Sequence, residues 1–265
     1  MLTLERQRIL LDHIRSRGVG TVNELAKQLG VSPSTVRRDM KAMNAQGLLT
    51  RIHGGAHLPD GPAEPPRITR ASVNRERKRL IARAAAALIP DGTTVLITGG
   101  TTTEAMIPFL TQRDLTVLTN SVSLAAALTS SPHITVVVLG GVLRHEESSL
   151  LGPVPEQILG EFNVDMAVVG AYGFDPRTGT YGADVGEAGT DRQLLRACPS
   201  VTLLVDSSKF GQRGTVKLLP IDEISTVVTD EGVSAESAAT LRERSVTLVV
   251  ARPIADGPHD QPSTT

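Results

Sequence analysis

Two groups of residues in this chain have the types and spacing to handle anions. The first is Ser32, Ser34, Thr35, Arg37, Arg38 and Lys41, which sets hydroxyls and cations within a single short stretch. An arginine fork matches the major-groove edge of guanine, and a serine or threonine hydroxyl serves either a base or a phosphate. The second group is spread over four polar runs: Thr98-Gly99-Gly100-Thr101-Thr102-Thr103, Thr119-Asn120-Ser121, Gly140-Gly141 and Asp206-Ser207-Ser208-Lys209. Glycines let backbone amides approach an anion, hydroxyls donate to it, and Lys209 adds a full positive charge. The chain has neither a GxGxxG nor a GxxxxGK[ST] pattern, which disfavours dinucleotide and P-loop readings.

The first group needs a helix to aim it. Val36, Met40 and Met43 recur at helical spacing, so a helix over 33–46 buries them while Ser34, Arg38 and Lys41 point the opposite way and Thr35 and Arg37 flank them. Ser32 suits the N-cap and Pro33 the first helical position. Upstream, Thr21 and Glu24 have capping-box spacing, Val22, Leu25, Ala26 and Leu29 form an apolar face, and Gly30 stops the helix. A first helix over 4–17 carries Ile9, Leu10 and Ile14, with Gly18 and Gly20 ending it. This is a helix-turn-helix pattern with residues 33–46 as the recognition helix. The run GLLTRIHGGA then alternates as a two-stranded wing, bringing Arg51 and His53 near phosphates; a plain turn role is the alternative for His53. Asp39 does not suit contact with an anion. It is expected to hold Arg37 or Arg38 in place, the alternative being an acceptor from cytosine.

The second group needs strand ends. TVLIT, LTVLT, ITVVVL, VDMAVVGA, VTLLVD, STVVTD and VTLVV alternate with helical segments from residue 94 onward. Such β-branched runs without inside-outside alternation are expected to be buried on both faces of a mainly parallel sheet. The predicted fold class is therefore α/β: an N-terminal winged helix-turn-helix plus a C-terminal doubly wound, mainly parallel domain with the four polar runs at its carboxyl edge. The expected organisation is a DNA-binding domain over 1–57, a Pro-rich linker acting as a hinge over 58–74, an effector-binding domain over 75–251 opening with a helix over 75–89, and a disordered tail over 252–265.

Charge divides the same way. Residues 1–79 hold 15 Lys+Arg and 7 Asp+Glu (+8) and residues 80–265 hold 12 and 21 (−9), which sum to the chain's −1. A basic front on an acidic back suits a nucleic-acid-binding unit joined to another function. The lone Cys198 can form no internal disulfide or multi-thiolate metal site and is read as a core residue. The N-terminal residues mix charges through their apolar positions, so neither a signal peptide nor a membrane span is expected, and the cytoplasm is the predicted location.

The run from Glu5-Arg6 through LAKQLGVSPSTVRRDM to GLLTRIHGGA resembles the DNA-binding domain of the DeoR family of bacterial regulators, and residues 75 to about 230 follow that family's looser second pattern. The resemblance implies a double-stranded DNA operator as partner and a sensor domain similar in fold to sugar-phosphate isomerases and deaminases, with a phosphosugar effector. The effector residues expected on that basis are Thr98 to Thr103, Thr119 to Ser121, Gly140, Gly141, Ser207, Ser208 and Lys209. One departure stands out: the family's first loop usually reads Asp-Ser-Gly-Thr-Thr, and this chain has Thr98-Gly99-Gly100-Thr101-Thr102. The loop keeps its anion donors but loses a carboxylate, which leaves a non-phosphorylated effector as an alternative. Retained isomerase or deaminase chemistry is a second alternative, with Asp165, Asp184, Glu187, His133 and His145 as candidates, though no pair has a catalytic spacing. The sequence thus predicts a repressor of a sugar-metabolism operon that is not an enzyme, has no catalytic residue, cofactor or metal, and acts as a homo-oligomer, because one recognition helix covers only a few base pairs.

Arg38→Ala is expected to cost about 1–3 kcal/mol in specific operator binding and to relax sequence preference, whereas Arg51→Ala should weaken all sequences alike and lower the salt slope by about one. Titrations of operator and unrelated duplex at several salt concentrations check both. An Arg38→Ala protein that binds its operator normally would show that the helix is oriented otherwise.

Overall fold

The computed structural model describes residues 3–17, 19–45, 48–52, 54–57 and 65–253, so His53, residues 58–64 of the expected linker and residues 254–265 of the expected tail lie outside the described residues. The first unit runs α1 (Thr3–Arg17), β1 (Val19–Thr21), α2 (Val22–Leu29), α3 (Pro33–Ala45), β2 (Thr50–Ile52) and β3 (Gly55–His57). At the start of α2, Thr21 Oγ1 accepts from the Glu24 amide and the Glu24 carboxylate accepts from the Thr21 amide, each at 3.3 Å, which is the expected capping box. Gly30 closes the helix in the left-handed conformation (φ 63°). Ser32 Oγ accepts from the Thr35 amide at 3.2 Å and so caps α3. Leu10 and Ile14 of α1, Leu25 and Leu29 of α2, and Val36, Met40 and Met43 of α3 meet with Leu49 and Ala56 in one apolar core. Ile9, counted with the apolar positions of the first helix, is instead 36% exposed.

Two local expectations change here. The wing is three-stranded, in the order β1-β3-β2, because Val19–Thr21 pairs antiparallel with Gly55–His57. The Gly18–Gly20 stretch reads locally as a helix stop; its strand depends on a partner some 35 residues away, which no local pattern reveals. Asp39, in turn, does not hold Arg37 or Arg38. It is buried and accepts from Arg6 of α1, at 2.5 Å from Nε and 3.1 Å from Nη2. Residues one or two apart on a helix do not face each other, so the nearer arginines in sequence could not reach it.

The second unit begins with α4 (Arg67–Ser72) and α5 (Arg75–Ala86), then β4 (Thr94–Ile97), α6 (Thr101–Glu104), α7 (Ile107–Leu110), β5 (Leu115–Thr119), α8 (Val122–Leu128) and β6 (Ile134–Val138). It continues with β7 (Val142–Arg144), β8 (Ser149–Leu151), α9 (Pro153–Leu159), β9 (Met166–Gly170), β10 (Gly173–Asp175), β11 (Gly179–Gly182), α10 (Val185–Arg196) and β12 (Val201–Leu204). The last elements are β13 (Val216–Lys217), β14 (Thr226–Asp230), α11 (Ala235–Glu243) and β15 (Thr247–Ala251). The helix α4 corrects the reading of 58–74 as a hinge throughout: Arg67–Ser72 is helical, held by distant carboxylates described below.

All seven anticipated strands join one parallel sheet in the order β15-β14-β12-β9-β4-β5-β6. The chain lays β5 and β6 to one side of β4, then returns to lay β9, β12, β14 and β15 on the other. Right-handed crossovers therefore put α7 and α8, with α5, on one face and α9, α10 and α11 on the opposite face. The two cores show it directly. Val95, Ile97 and Val117 pack with Ile81, Leu110 and Leu124, whereas Leu96, Leu118 and Val169 pack with Leu159, Leu194 and Leu241. Burial on both faces holds for the central strands. At the edge strand β6, with no neighbour beyond it, Val138 is 45% exposed. The small antiparallel sheets β7-β8 and β10-β11-β13 were not anticipated from the sequence.

Since Asp39 is buried and Arg6 is its partner, Asp39→Ala should lower stability by about 1–3 kcal/mol, the cost of leaving a charged hydrogen-bonding group without its mate. A urea titration followed by helical circular dichroism checks this, and an unchanged midpoint would mean that the pair contributes nothing to holding α1 on α3.

Candidate functional site

On α3, Ser34, Arg37, Arg38 and Lys41 are exposed on the side away from the core, with Thr35 half-buried beside them. Ser32 Oγ lies 2.7 Å from Ser34 Oγ and 2.9 Å from Thr35 Oγ1, so the three hydroxyls form one cluster at the N-terminus of the helix. Arg51 is exposed on β2, and its amide donates to Asn44 Oδ1 at 2.9 Å, which fixes the base of the wing to the end of α3. This is a rigid cationic and hydrogen-bonding face. His53 lies outside the described residues.

The winding of the large sheet reverses between β4 and β9, and side-chain-lined clefts in such sheets form outside the carboxyl ends of the strands at that point. A cleft is found there, lined by Gly99, Gly100, Thr101 and Thr102 after β4, by Gly170, Ala171 and Tyr172 after β9, and by Asp206, Ser208 and Lys209 after β12. Gly100, at φ 153°, takes a backbone conformation that side chains rarely adopt and opens α6. Lys209 holds its ammonium 5.5 Å from the Tyr172 ring centre, a cation–π distance.

Lys78 of α5 also faces this cleft. It is 6% exposed, and its Nζ donates to Thr101 Oγ1 at 3.0 Å and to the Arg70 carbonyl. Burial lowers its pKa to about 8; the Asp206 carboxylate opposes that shift, while Lys209 and Arg70 add to it. Asp206 is itself buried, accepting from Asn74 Nδ2 at 3.0 Å and from the Ser208 amide at 3.0 Å. The cleft thus holds a desolvated, only partly neutralised ammonium beside glycine amides and a second lysine, an arrangement that can bind an anion.

The opposite wall is acidic. Asp184 caps α10 by accepting from the Glu187 amide at 2.8 Å, Glu187 accepts from Ser149 Oγ at 2.8 Å and from Arg144, and Asp191 accepts from Asn120 Nδ2 at 3.1 Å. Burial raises the Glu187 pKa; the Ser149 hydrogen bond and Arg144 oppose it, and Glu147 and Asp184 reinforce it. Of the other candidates for proton chemistry, Asp165 accepts from the Thr94 amide at 2.8 Å, at the amino end of the sheet, and His133 precedes β6 at that same end. Both are on the edge away from the cleft.

Six of the fourteen expected effector residues line the cleft: Gly99, Gly100, Thr101, Thr102, Ser208 and Lys209. Thr98, Thr103, Thr119, Asn120, Ser121 and Ser207 lie outside its lining. Thr103 Oγ1 donates to the Thr98 carbonyl and Thr119 Oγ1 to the Ile97 carbonyl, at 2.9 and 2.6 Å. Ser121 Oγ caps α8 by accepting from the Leu124 amide, and Ser207 is bound by Asp230 through both its amide and its hydroxyl. Thr98 is fully buried with Oγ1 left without a partner. Gly140 and Gly141 are not in the cleft lining. A Cβ on Gly141 would meet the Leu151 carbonyl at 2.6 Å, so that glycine answers to the approach of β8. Sequence reasoning missed Lys78, Asn74, Asp184, Glu187 and Asp191 as one constellation. The available signal was a single lysine on the otherwise apolar face of α5, at helical spacing from Ile81, Ala82 and Ala85.

A helix-turn-helix head joined to a doubly wound domain with a polar cleft at its switch point is the architecture of a two-domain DNA-binding transcriptional regulator. The comparisons assign the family. Residues 6–61 match the DeoR-like helix-turn-helix domain and residues 73–231 the DeoR C-terminal sensor domain. The chain belongs to the DeoR family and is a DNA-binding transcriptional regulator. It is 31% identical to a glycerol-3-phosphate regulon repressor of Shigella flexneri, over 87% of this chain and 92% of that one. It is also 31% identical to the transcriptional repressor CsqR of Escherichia coli, over 91% of this chain and 93% of the other. Among solved structures, ribose 5-phosphate isomerase A of Neisseria gonorrhoeae covers 54% of this chain and 56% of its own at 17% identity, with a TM-score of 0.40. Among the described residues no helix is long and apolar enough to cross a membrane.

Lys78 also makes a prediction about stability. Its folded pKa of about 8 lies below the unfolded value near 10.4, so between those limits the unfolded chain binds more protons and stability rises with pH, by at most about 3 kcal/mol. Lys78→Met should be the more stable protein below pH about 8, with the difference shrinking toward pH about 10.5. Urea midpoints of both proteins across that range check this, and a pH-independent difference would place the ammonium in solvent.

Proposed function

We propose that this regulator represses an operon for sugar or polyol use and releases its operator when a phosphorylated small molecule binds the cleft at the carboxyl ends of β4, β9 and β12. The observation that carries this reading is the buried Lys78 ammonium at the glycine-rich loop, with Lys209 across from it. Lys78 and Lys209 take the phosphate together with the amides of Gly99 to Thr102. Asp184 and Asp191 on the acidic wall accept from the hydroxyls of the remainder. The similarity to a glycerol-3-phosphate regulon repressor of Shigella flexneri supports an effector of this class.

On the DNA side, Ser34, Thr35, Arg37 and Arg38 enter the major groove, and Ser32, Lys41, Arg51 and His53 contact phosphates. Two or more copies act together on repeated half-sites in the cytoplasm, and no cofactor takes part. The cleft is assigned to binding and not to turnover. In support of that, Asp184, Glu187 and Asp191 each already accept a hydrogen bond within the fold, from the Glu187 amide, Ser149 and Asn120.

Calorimetry with glycerol 3-phosphate and a panel of phosphosugars, alongside operator titrations, tests the proposal. Binding should hold below pH about 8 and weaken up to about tenfold per unit above it as the Lys78 ammonium is lost, with proton uptake on binding in that range. Lys78→Met and Lys209→Ala should each weaken binding by about tenfold or more, and unphosphorylated sugars should not compete. Binding that ignores pH and phosphate alike would sink the reading in favour of a neutral effector.

A further inference from the structure

The helix α4 carries the chain from the DNA-reading unit into the sensor, and none of its residues is buried. Polar contacts hold it. Arg67 donates to the Glu104 carboxylate from Nε at 3.1 Å and from Nη2 at 2.5 Å, and Arg70 pairs with Glu147 in the turn between β7 and β8. The Arg70 carbonyl, at the C-terminal end of α4, accepts from Lys78 Nζ. Glu104 is the last residue of α6 and Thr101, the other acceptor of Lys78, is the first. The two ends of α4 are therefore tied to the two ends of the one-turn helix that opens on the glycine loop.

We propose that α4 is the strap through which the sensor reports to the DNA-reading unit, moved when an anion in the cleft takes hydrogen-bond donors of Lys78 away from the Arg70 carbonyl. This rests on the reading of the cleft as an anion site. None of the residues of α4 is packed into a core, so the helix is held by its ion pairs and the shared Lys78 ammonium and can shift as a unit when that ammonium changes partner, whereas an element anchored by a packed core resists. Allosteric couplings of about 5- to 150-fold need no more than that. The connection is also obligatory along the chain, since α4 is the first described element after the linker.

The test uses the full chain, with inorganic phosphate and glycerol 3-phosphate as probes. Amide exchange by mass spectrometry reads α4, whose Thr69 and Arg70 amides donate to the Pro66 carbonyl and whose cap, the Val73 amide, donates to Thr69. Phosphate should change exchange in 66–73 severalfold. Arg67 does not line the cleft, so Arg67→Ala should bind glycerol 3-phosphate within about threefold of wild type while the factor by which that ligand weakens operator binding falls toward one. Arg67→Lys, which keeps the charge, should restore part of that factor. Unchanged exchange in α4 with phosphate demonstrably bound by calorimetry, or an Arg67→Ala protein with the full wild-type factor, overturns the strap. If calorimetry finds neither probe bound below pH 8, the anion-site reading itself is overturned and the strap falls with it.

Discussion

A parallel sheet whose crossovers must all be right-handed can cover both of its faces only if the chain reverses its direction of travel once. Here the reversal comes at β4, the first strand laid down, with β5 and β6 on one side and β9, β12, β14 and β15 on the other. The loops leaving β4 and β9 must then diverge toward opposite faces, and a cleft opens between them at the carboxyl edge. Everything that follows occupies that gap: the glycine-rich turn into α6, the Tyr172 segment, and the Asp206–Lys209 turn brought alongside by β12.

Into this gap the fold inserts a lysine from outside the sheet. A buried ammonium is costly unless it is paired, and Lys78 is paired only in part, by a carbonyl, a hydroxyl and the nearby Asp206. Its depressed pKa is the measure of that shortfall. On the proposed reading of the cleft as an anion site, the same feature that weakens the empty protein supplies affinity to the occupied one. The acidic wall opposite is hydrogen-bonded within the fold, Glu187 to Ser149 and Arg144 and Asp191 to Asn120, though burial still raises the Glu187 pKa. The cleft is therefore bipolar, with lysines on one side and carboxylates on the other.

The first unit solves a different problem with the same economy. Its core is small, and Asp39 and Arg6 add a polar tie between α3 and α1 that leaves Arg37, Arg38 and Lys41 in solvent. Holding α3 by its inward face leaves its arginines and lysine exposed on the outward one. The Ser32–Ser34–Thr35 hydroxyl cluster and the Asn44–Arg51 link then fix the two ends of that face relative to the wing.

The sequence by itself determined what depends on neighbours along the chain: the capping box at Thr21 and Glu24, the Ser32 cap, the inward stripe of α3, and all seven strands of the sheet, whose β-branched runs without inside-outside alternation suit a parallel sheet covered by helices. It also placed polar loops at the carboxyl ends of four strands, of which those after β4 and β12 line the cleft. What it left open depended on partners far away. The third strand of the wing needed β3, the Asp39 partner was Arg6, and the helix inside the Pro-rich stretch was held by Glu104 and Glu147. The same holds within the site. Thr98, Thr119 and Ser207 read as ligand donors because their types suit it, but their side chains turn inward, and which hydroxyl faces the cleft is set by how each loop packs on the next. Lys78 shows the converse: its spacing puts it on the buried face of α5, and only the sheet reversal, by opening a polar cleft against that face, gives its charge polar surroundings.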